Sequence, residues 1–258
     1  MPEGDTVYLT ATNLNAALAG SVLTGCDLRV PAYATIDLTG DTFHEVVPRG
    51  KHLLMHIGDA TVHSHLKMEG SWHLYHPGTK WKRPTWQARA VLSTEHWVAV
   101  GFDLGELEVV ARKDEEALVG YLGPDPLSDD WDEGEALRRM LAVPGRPVGL
   151  ALLDQRVIAG LGNVYRNELC FLRGVLPTRP VGEVAEPEKL VQLGQRLIHA
   201  NRNRANRTTT GKLRGDTAWV HDREGEACFR CGTPIRRGTL GENELQERNT
   251  FYCEVCQA

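Results

Sequence analysis

The sequence contains no hydrophobic run long enough to cross a membrane. Its longest apolar stretches, such as Val148–Leu153, are far shorter than the roughly 20 residues that a membrane-spanning helix needs. The N-terminus also lacks the basic and apolar segments of a secretory signal. We therefore expect a soluble globular protein that has no membrane partner and resides in the cytoplasm.

Cysteine is scarce, and most of it lies near the C-terminus. Cys26 and Cys170 stand alone in the chain. The other four form two Cys-x-x-Cys pairs separated by 21 residues: Cys228, Cys231, Cys253 and Cys256. Two such pairs predict a four-thiolate zinc site whose complete sulfur shell leaves no position for a catalytic water. We expect one structural Zn²⁺ and no disulfides, because metal thiolates suit a reducing compartment.

Positive charge is also in deficit, since 29 Lys and Arg face 34 Asp and Glu and leave a net charge of −5. This average argues against a nucleic-acid partner, because phosphate binding depends on Lys and Arg. The charge is segregated, however, with six acidic residues between positions 124 and 135. Five basic residues follow one another with no acid among them: Arg202, Arg204, Arg207, Lys212 and Arg214. This basic run is either a solvated surface or a binding surface for phosphates.

Hydrophobic spacing divides the chain into four segments. Residues 1–123 combine one helix with many short β-like runs, which predicts a β-sandwich with flanking helices. Residues 124–134 are acidic and rich in turn formers, which predicts a linker. Residues 135–218 have helical spacing, and residues 219–258 have too few apolar side chains for a core of their own. The predicted fold class is therefore multidomain α+β with a C-terminal zinc finger.

The same spacing predicts the individual elements. Helices are predicted over residues 7–18, 135–142, 149–158, 164–172 and 187–200. Strands are predicted over residues 52–57, 88–92, 97–102 and 107–110, and a metal-bound hairpin over 233–240 and 249–252.

A glycine-rich turn, Gly160-Leu-Gly-Asn163, lies between two of the helical runs. It is not a dinucleotide-binding motif, because Tyr165 replaces the third glycine and no strand precedes it. The glycines allow a tight turn, Asn163 predicts a helix N-cap, and the N–H groups at the helix start predict an anion site. An ordinary helix-turn-helix corner is the alternative.

The N-terminus, Met1-Pro2-Glu3, offers a nucleophile once Met1 is removed. Methionine is normally cleaved before a small residue, which leaves a secondary amine with a pKa of about 8 at Pro2. Attack of this amine on a sugar C1′ gives a cationic iminium, which drives expulsion of the base and then of the 3′ phosphate. Glu3 is the candidate for the sugar proton transfers. Many proteins begin in this way, so the terminus alone assigns no function.

Two further positions suit a nucleic-acid site. Lys51, in the turn Arg49-Gly50-Lys51 before an apolar strand, can project its ammonium into a cleft. Met68, in His65-Leu-Lys-Met68, can lie on a loop tip and fill the gap left by a flipped nucleotide. A surface lysine and a core methionine are the alternatives.

Five motifs occur in a characteristic order along nearly the whole chain. They are Pro-Glu-Gly at 2–4, Arg-Gly-Lys-His-Leu at 49–53, His-Leu-x-Met-x-Gly at 65–70, Asp-Gln followed by Gly-x-Gly-Asn-x-Tyr at 154–165, and the arm at 248–257 that carries Arg248 and the second cysteine pair. This order closely resembles the formamidopyrimidine-DNA glycosylase and endonuclease VIII family.

The resemblance implies a fold and a set of roles. The fold is an N-terminal β-sandwich, a helix-two-turn-helix domain and a zinc finger around bent duplex DNA. Pro2 is implied as the Schiff-base nucleophile, Glu3 as the general acid and Lys51 as a catalytic lysine that contacts phosphate. Asn163 and Arg248 are implied to grip the phosphates beside the lesion.

The resemblance also implies an activity. The expected protein is a monomeric DNA glycosylase and abasic-site lyase of base excision repair, which cuts damaged DNA by β,δ-elimination in the bacterial cytoplasm. Pro-Glu-Gly resembles the endonuclease VIII branch, which acts mainly on oxidised pyrimidines, and the short stretch 208–219 predicts loose base selection. The alternatives are a glycosylase for 8-oxoguanine and formamidopyrimidine, a non-catalytic binder of damaged DNA, or a zinc-containing interaction module.

Overall fold

The chain folds into two units, an N-terminal unit that ends at Tyr121 and a C-terminal unit, Leu122–Ala258. The computed structural model describes residues 2–258, and the predicted removal of Met1 lies outside them. The predicted segment borders at 123, 134 and 218 stay predictions. No helix among residues 2–258 is both long and apolar enough to span a bilayer.

The N-terminal unit consists of two antiparallel four-stranded sheets with helical additions. Its helices are α1 (Gly4–Leu18) and the short α2 (Glu116–Val119). Its strands are β1 (Gly25–Leu28), β2 (Phe43–Arg49), β3 (His52–Ile57), β4 (Ala60–His65), β5 (Ser71–Tyr75), β6 (Ala88–Ser93), β7 (Val98–Phe102) and β8 (Glu106–Ala111). The strand orders are β1-β6-β7-β5 and β2-β3-β4-β8. The predicted β-sandwich is confirmed.

Strand alternation builds the core of this unit. Successive side chains of a strand point to opposite faces, and Leu53, Met55 and Ile57 of β3 are fully buried in the core cluster. Helix α1 is fastened to β2 by one side chain, because the amide of Asn15 donates to the Val46 carbonyl at 2.7 Å and accepts the Val46 N–H at 2.6 Å. The C-terminal end of α1 is thereby held against this sheet.

The C-terminal unit combines four helices with a two-stranded hairpin. These elements are α3 (Glu133–Leu141), α4 (Val148–Leu153), α5 (Asn163–Arg173), α6 (Pro187–Asn201), β9 (Arg236–Leu240) and β10 (Arg248–Tyr252). The helices enclose one apolar cluster, and Val220, Ile235 and Phe251 form a second cluster with Phe171 of α5. The C-terminal segment therefore shares its small core with a helix, which explains why its own apolar content is low.

The helix predicted over residues 149–158 is wrong at its C-terminal end, since α4 stops at Leu153. Asp154 leaves the helical conformation and accepts the Arg156 backbone N–H at 2.9 Å. Gln155 then ties the turn together, because its amide donates to the Leu153 and Leu161 carbonyls and accepts the Gly160 N–H. Side-chain hydrogen bonds to the backbone replace the helical ones here.

Asp154 is the electrostatic centre of this turn. Its carboxylate accepts hydrogen bonds at 3.0 Å from the guanidinium groups of Arg146 and Arg156. Burial by itself would raise the pKa of Asp154, but the hydrogen bonds from Arg156 and Arg146 outweigh it and lower the pKa to about 2. Folding therefore stabilises the ionised carboxylate.

We expect Asp154→Asn to lower the free energy of unfolding at pH 7 by about 1 to 2 kcal/mol, because a depressed pKa contributes stability above the unfolded pKa. The difference between variant and wild type should shrink as the pH falls from about 4 to about 2, where the wild-type carboxylate takes up its proton. Denaturant unfolding at several pH values measures this. Asp27→Asn, in an exposed pair with Arg29, is the control, and an Asp154→Asn deficit that persists unchanged at pH 2 would contradict the interpretation.

Candidate active site and metal centre

Pro2 and Glu3 lie at the beginning of α1, in the N-terminal unit. Glu3 is the N-cap residue, its backbone is extended, and its carbonyl accepts the Val7 N–H at 3.1 Å. The Glu3 side chain is fully buried, whereas Pro2 is only partly buried. The buried Glu3 carboxyl group thus belongs to the residue next to the more accessible Pro2.

Lys51 occupies the tip of the hairpin that joins β2 to β3. Arg49 and His52 pair across this hairpin, so Gly50 and Lys51 form a two-residue turn. Gly50 has a φ of +58°, a conformation that this tight hairpin needs at its first central position and that glycine adopts without strain. The Lys51 ammonium is close enough to His65 to contribute to lowering the pKa of that histidine.

Met68 lies on an exposed turn after β4, and 57% of its surface is accessible. The turn is closed by Gly70, whose N–H donates to the Leu66 carbonyl at 2.9 Å. A Cβ atom at Gly70 would lie 2.5 Å from that carbonyl oxygen, so only glycine fits. The structure therefore places Met68 at a loop tip, and its role as a wedge stays a prediction.

A row of histidines on β3 and β4 was missed by the sequence analysis. His52 Nδ1 and His63 Nε2 are 2.8 Å apart, and the His52 ring makes an edge contact with His65 at 4.9 Å between centroids. Burial, together with the neighbouring His65 and His63, lowers the pKa of His52 to about 3. Burial, followed by the charge of Lys67, lowers the pKa of His65 to about 4. The sequence signal that could have revealed this row is the even spacing of the histidines within each strand, at His52 and His56 of β3 and at His63 and His65 of β4.

In the C-terminal unit, Asn163 is the first residue of α5, and the N-cap is Gly162. The prediction that Asn163 caps the helix is therefore wrong. Its side-chain amide instead donates to the Asn249 carbonyl in β10 at 3.0 Å. The helix begins one residue earlier than predicted, and the Asn163 amide donates to a distant strand.

Arg166, one turn further along α5, was also missed. Its side chain is fully buried, and Nη2 donates to the Asn249 carbonyl at 2.8 Å and to the Thr250 hydroxyl at 2.7 Å. Arg248 is exposed at the first position of β10, adjacent to this contact. Asn163 and Arg166 thus fix the strand that carries Arg248. Hydrogen bonds to a charged donor are about twice as strong as neutral ones, so Arg166 dominates this contact.

Glu168 organises the chain between α6 and the cysteines. Its fully buried carboxylate accepts the backbone N–H groups of Trp219, Val220 and His221 at 2.8 to 2.9 Å. The Thr209 hydroxyl also donates to it. Four donors therefore converge on one charge, which is the compensation that a buried carboxylate requires.

The four C-terminal cysteines meet at the base of the β9–β10 hairpin. Their Sγ atoms all lie within 4.8 Å of one another, with Cys231 and Cys253 3.4 Å apart and Cys228 and Cys256 3.9 Å apart. Tetrahedral Zn²⁺ with Zn–S bonds of about 2.3 Å places its sulfurs about 3.8 Å apart. Hydrogen bonds from Thr233 lower the pKa of Cys231 to about 6. Within residues 2–258 this is the one cluster of His, Cys, Asp and Glu with metal-binding geometry.

The C-terminus is fastened to the loop after α5. Gln257 accepts the Cys253 N–H and donates to the Val175 carbonyl, both at 2.8 Å. The Ala258 N–H donates to the Gly174 carbonyl at 3.0 Å. The second cysteine pair is therefore held by hydrogen bonds as well as by the shared apolar cluster.

The basic run lies on the surface of the C-terminal unit. Arg204, Lys212 and Arg214 are exposed, while the Arg207 guanidinium lies 5.0 Å from the centre of the Tyr165 ring. The predicted site residues are divided between the two units. The N-terminal unit holds Pro2, Glu3, Lys51 and Met68, and the C-terminal unit holds Asn163, Arg248 and the four cysteines.

We expect Glu168→Gln to lower the free energy of unfolding by about 2 kcal/mol, because a neutral amide oxygen accepts these hydrogen bonds more weakly and its NH₂ group faces other donors. Hydrogen exchange should become faster at the amides of Trp219, Val220 and His221. Glu183→Gln, at an exposed position, is the matched control. Unchanged exchange at all three amides would contradict the role of Glu168.

Two family models match the chain. The formamidopyrimidine-DNA glycosylase N-terminal domain matches residues 1–110. The formamidopyrimidine-DNA glycosylase H2TH domain, named for its helix-two-turn-helix motif, matches residues 122–200.

Curated relatives match over the full length of the chain. DNA-(apurinic or apyrimidinic site) lyase Nei2 of Mycolicibacterium smegmatis is 51% identical over 258 residues, with 100% of this chain and 99% of the relative covered. Endonuclease 8 2 of Mycobacterium tuberculosis is 48% identical over 262 residues, with both chains covered completely.

Solved structures with the same fold include DNA complexes. Lactococcus lactis Fpg with DNA that contains an abasic site has a TM-score of 0.81 at 23% identity, with 99% of both chains covered. MutM in complex with DNA that contains carbocyclic 8-oxo-G has a TM-score of 0.82 at 22% identity, with 100% of both chains covered.

Proposed function

Because the chain belongs to the formamidopyrimidine-DNA glycosylase and endonuclease VIII family, we propose that it excises damaged bases from DNA and cuts the strand at the resulting abasic site. The observation that carries the proposal is the start of α1, where Pro2 precedes a fully buried Glu3. The relatives named as an abasic-site lyase and as endonuclease 8 support this activity.

In the proposed mechanism, Pro2 acts after removal of Met1. The positive end of the α1 dipole favours the neutral, nucleophilic form of an amine at this position. The nitrogen lone pair attacks C1′ as the bond between C1′ and the base breaks, and the nitrogen loses its proton. The C1′–O4′ bond then opens, with a proton delivered to O4′, and leaves an iminium between C1′ and the Pro2 nitrogen. Loss of a C2′ proton then expels the 3′ phosphate, and a second elimination expels the 5′ phosphate. Glu3 holds and transfers the proton of the sugar during these steps.

The other predicted residues bind the DNA backbone in this proposal. Lys51 donates to a phosphate from the hairpin tip, where Gly50 allows a close approach. Arg248 and the start of α5 contact phosphates, with Asn163 and Arg166 keeping β10 in position. Met68 fills the space of the flipped nucleotide from its exposed turn.

The preferred lesion in this proposal is an oxidised pyrimidine. The Pro-Glu-Gly terminus and the endonuclease 8 names of the relatives favour this class over purine lesions. The segment from Thr208 to Trp219 is short, which favours loose selection of the base. We also propose that the protein works as a monomer in the bacterial cytoplasm, since one chain carries every motif and the relatives are bacterial proteins.

Borohydride reduction should trap the wild-type protein covalently on duplex DNA that contains thymine glycol, because the iminium at Pro2 is reduced to a stable amine. Trapping should fall by at least about 100-fold in Pro2→Gly, since a weaker and less constrained amine replaces proline. Intact mass measured first establishes that Met1 is absent from both proteins.

The lesion panel distinguishes the alternatives. Faster excision of 8-oxoguanine than of thymine glycol would favour the purine glycosylase, and tight binding without any trapping would favour a non-catalytic binder. A Pro2→Gly variant that traps as well as the wild type would exclude Pro2 as the nucleophile.

The metal of this proposal is one structural Zn²⁺, held by Cys228, Cys231, Cys253 and Cys256. Four thiol donors at tetrahedral spacing suit zinc, and the bound metal supplies folding stability to the hairpin. The hairpin in turn positions Arg248 at the start of β10.

Elemental analysis of the purified protein should find one zinc per chain. Cys231→Ser should lower the zinc content and weaken DNA binding by about tenfold or more, because the base of the arm loosens. Cys26→Ser, outside the cluster, should leave both unchanged. A zinc-free wild-type protein with full DNA affinity would contradict the assignment.

A further inference from the structure

The outer face of the sheet β2-β3-β4-β8 carries polar side chains that the proposed mechanism does not use. In β3 and β4, the residues that alternate with the apolar core residues include His52, His63 and His65. His52 pairs with His65 in the sheet register, and His63 pairs with Glu108 of β8. Histidines and a carboxylate therefore stand in adjacent positions across three strands.

Three of these polar groups and Tyr121, which follows α2, form one continuous chain of hydrogen bonds. It is here called the histidine relay and consists of Tyr121, His52, His63 and Glu108. Tyr121 Oη and His52 Nε2 are 3.1 Å apart, and His52 Nδ1 and His63 Nε2 are 2.8 Å apart. His63 Nδ1 and Glu108 Oε2 are 3.2 Å apart. Every ring nitrogen of His52 and His63 is thus engaged within the relay.

The carboxylate sets the direction of the relay. An ionised Glu108 can only accept, so His63 Nδ1 carries a proton. In a neutral His63, Nε2 then accepts from His52 Nδ1–H, and His52 Nε2 accepts from the Tyr121 hydroxyl. In this state the Tyr121 O–H points inward and cannot donate to a ligand.

The two ends of the relay, Tyr121 and Glu108, are accessible to solvent, whereas the histidines at its centre are buried. The His63 side chain is only 3% exposed, while 43% of the Glu108 side chain and 52% of Tyr121 are exposed. Burial raises the pKa of Tyr121, so the phenol keeps its proton. Its hydroxyl lies beside His52, which follows Lys51 in the chain.

We propose that Tyr121 is a further DNA-contacting residue, and that protonation of His63 reverses the relay and frees the Tyr121 hydroxyl to donate to a phosphate. The proposal rests on the proposed DNA-binding function. In the reversal, the Tyr121 proton moves to His52 Nε2, the His52 Nδ1 proton moves to His63 Nε2, and Tyr121 takes one proton from solvent. The relay gains one proton in total, and His52 stays neutral.

The proposal assigns the added proton to His63 because this histidine is the one in the relay that contacts a carboxylate. His63 faces the Glu108 carboxylate, whereas the pKa values of His52 and His65 are lowered to about 3 and about 4, in both cases chiefly by burial. The other titratable groups that face this surface come from the sheet, the adjoining turns and the segment before α2: His56, Glu106, Lys51, Lys67 and Glu115. Lys67 pairs with Glu106 at 2.5 Å, and Glu115 pairs with His56 at 2.7 Å.

The direction of the relay can be measured without DNA. Long-range ¹H–¹⁵N spectra of the imidazole nitrogens, assigned with His52→Gln and His63→Gln, should find both histidines as Nδ1–H tautomers at pH 8. At pH 5.5, His63 should carry both protons and His52 should be an Nε2–H tautomer. An Nε2–H tautomer of His52 at pH 8, or an unchanged His52 at pH 5.5, would overturn the relay.

The contact with DNA is tested by affinity. Wild type, Tyr121→Phe and Tyr33→Phe bind a duplex that contains a tetrahydrofuran abasic analogue at pH 8 and pH 5.5. Tyr121→Phe should bind roughly five- to tenfold more weakly than wild type at pH 5.5, the effect of one charge-assisted hydrogen bond, and within about twofold at pH 8. Tyr33, whose ring packs on the core of the same unit, is the matched control and should show no difference.

The outcomes separate this proposal from the proposed function. Equal affinities of wild type and Tyr121→Phe at pH 5.5 would overturn the Tyr121 contact while leaving DNA binding intact. A wild-type protein that binds no duplex DNA at either pH would instead overturn the proposed function, and the tautomers would still report on the relay.

Discussion

The pleat of the sheet β2-β3-β4-β8 is the constraint on which the N-terminal unit depends. Leu53, Met55 and Ile57 must face the sandwich core, so the alternate residues of β3 have to lie on the opposite face. A shift of one residue would exchange the two sets and bury histidines in an apolar core. The same register puts Lys51 at the hairpin tip and sets His52 opposite His65. Packing and chemistry are therefore fixed by a single pairing of strands.

The C-terminal unit follows a different principle, in which buried charges join segments that lie far apart in sequence. Arg166 holds β10, and Glu168 holds the chain around Trp219. Each buried charge has hydrogen-bond partners, since an unpaired one would cost several kcal/mol.

Local patterns predicted much of this structure, and long-range contacts account for what they missed. Strand β3 was predicted with its observed bounds, because turn residues flank a short, mainly apolar run. The family recognised from five motifs is confirmed, as is the α+β class. The N-cap at Asn163 was wrong because the helix begins at Asn163 with Gly162 as its cap, and the Asn163 amide donates to Asn249, 86 residues away. The relay was missed because it depends on the register of β3 with β4 and β8, which no single segment reveals. The roles of Pro2, Glu3, Lys51, Met68 and Arg248 stay predictions.

The anchoring of both ends of the 209–219 segment on Glu168 has a consequence for how the protein can vary. Thr209 and Trp219 are bound to the same carboxylate, and the Thr209 N–H also donates to the Thr217 carbonyl at 2.8 Å. The residues between them are exposed from Gly211 to Asp216. The exposed residues between the two anchored ends can therefore change in number and type during evolution or design, while Glu168 and the helix that carries it stay the same.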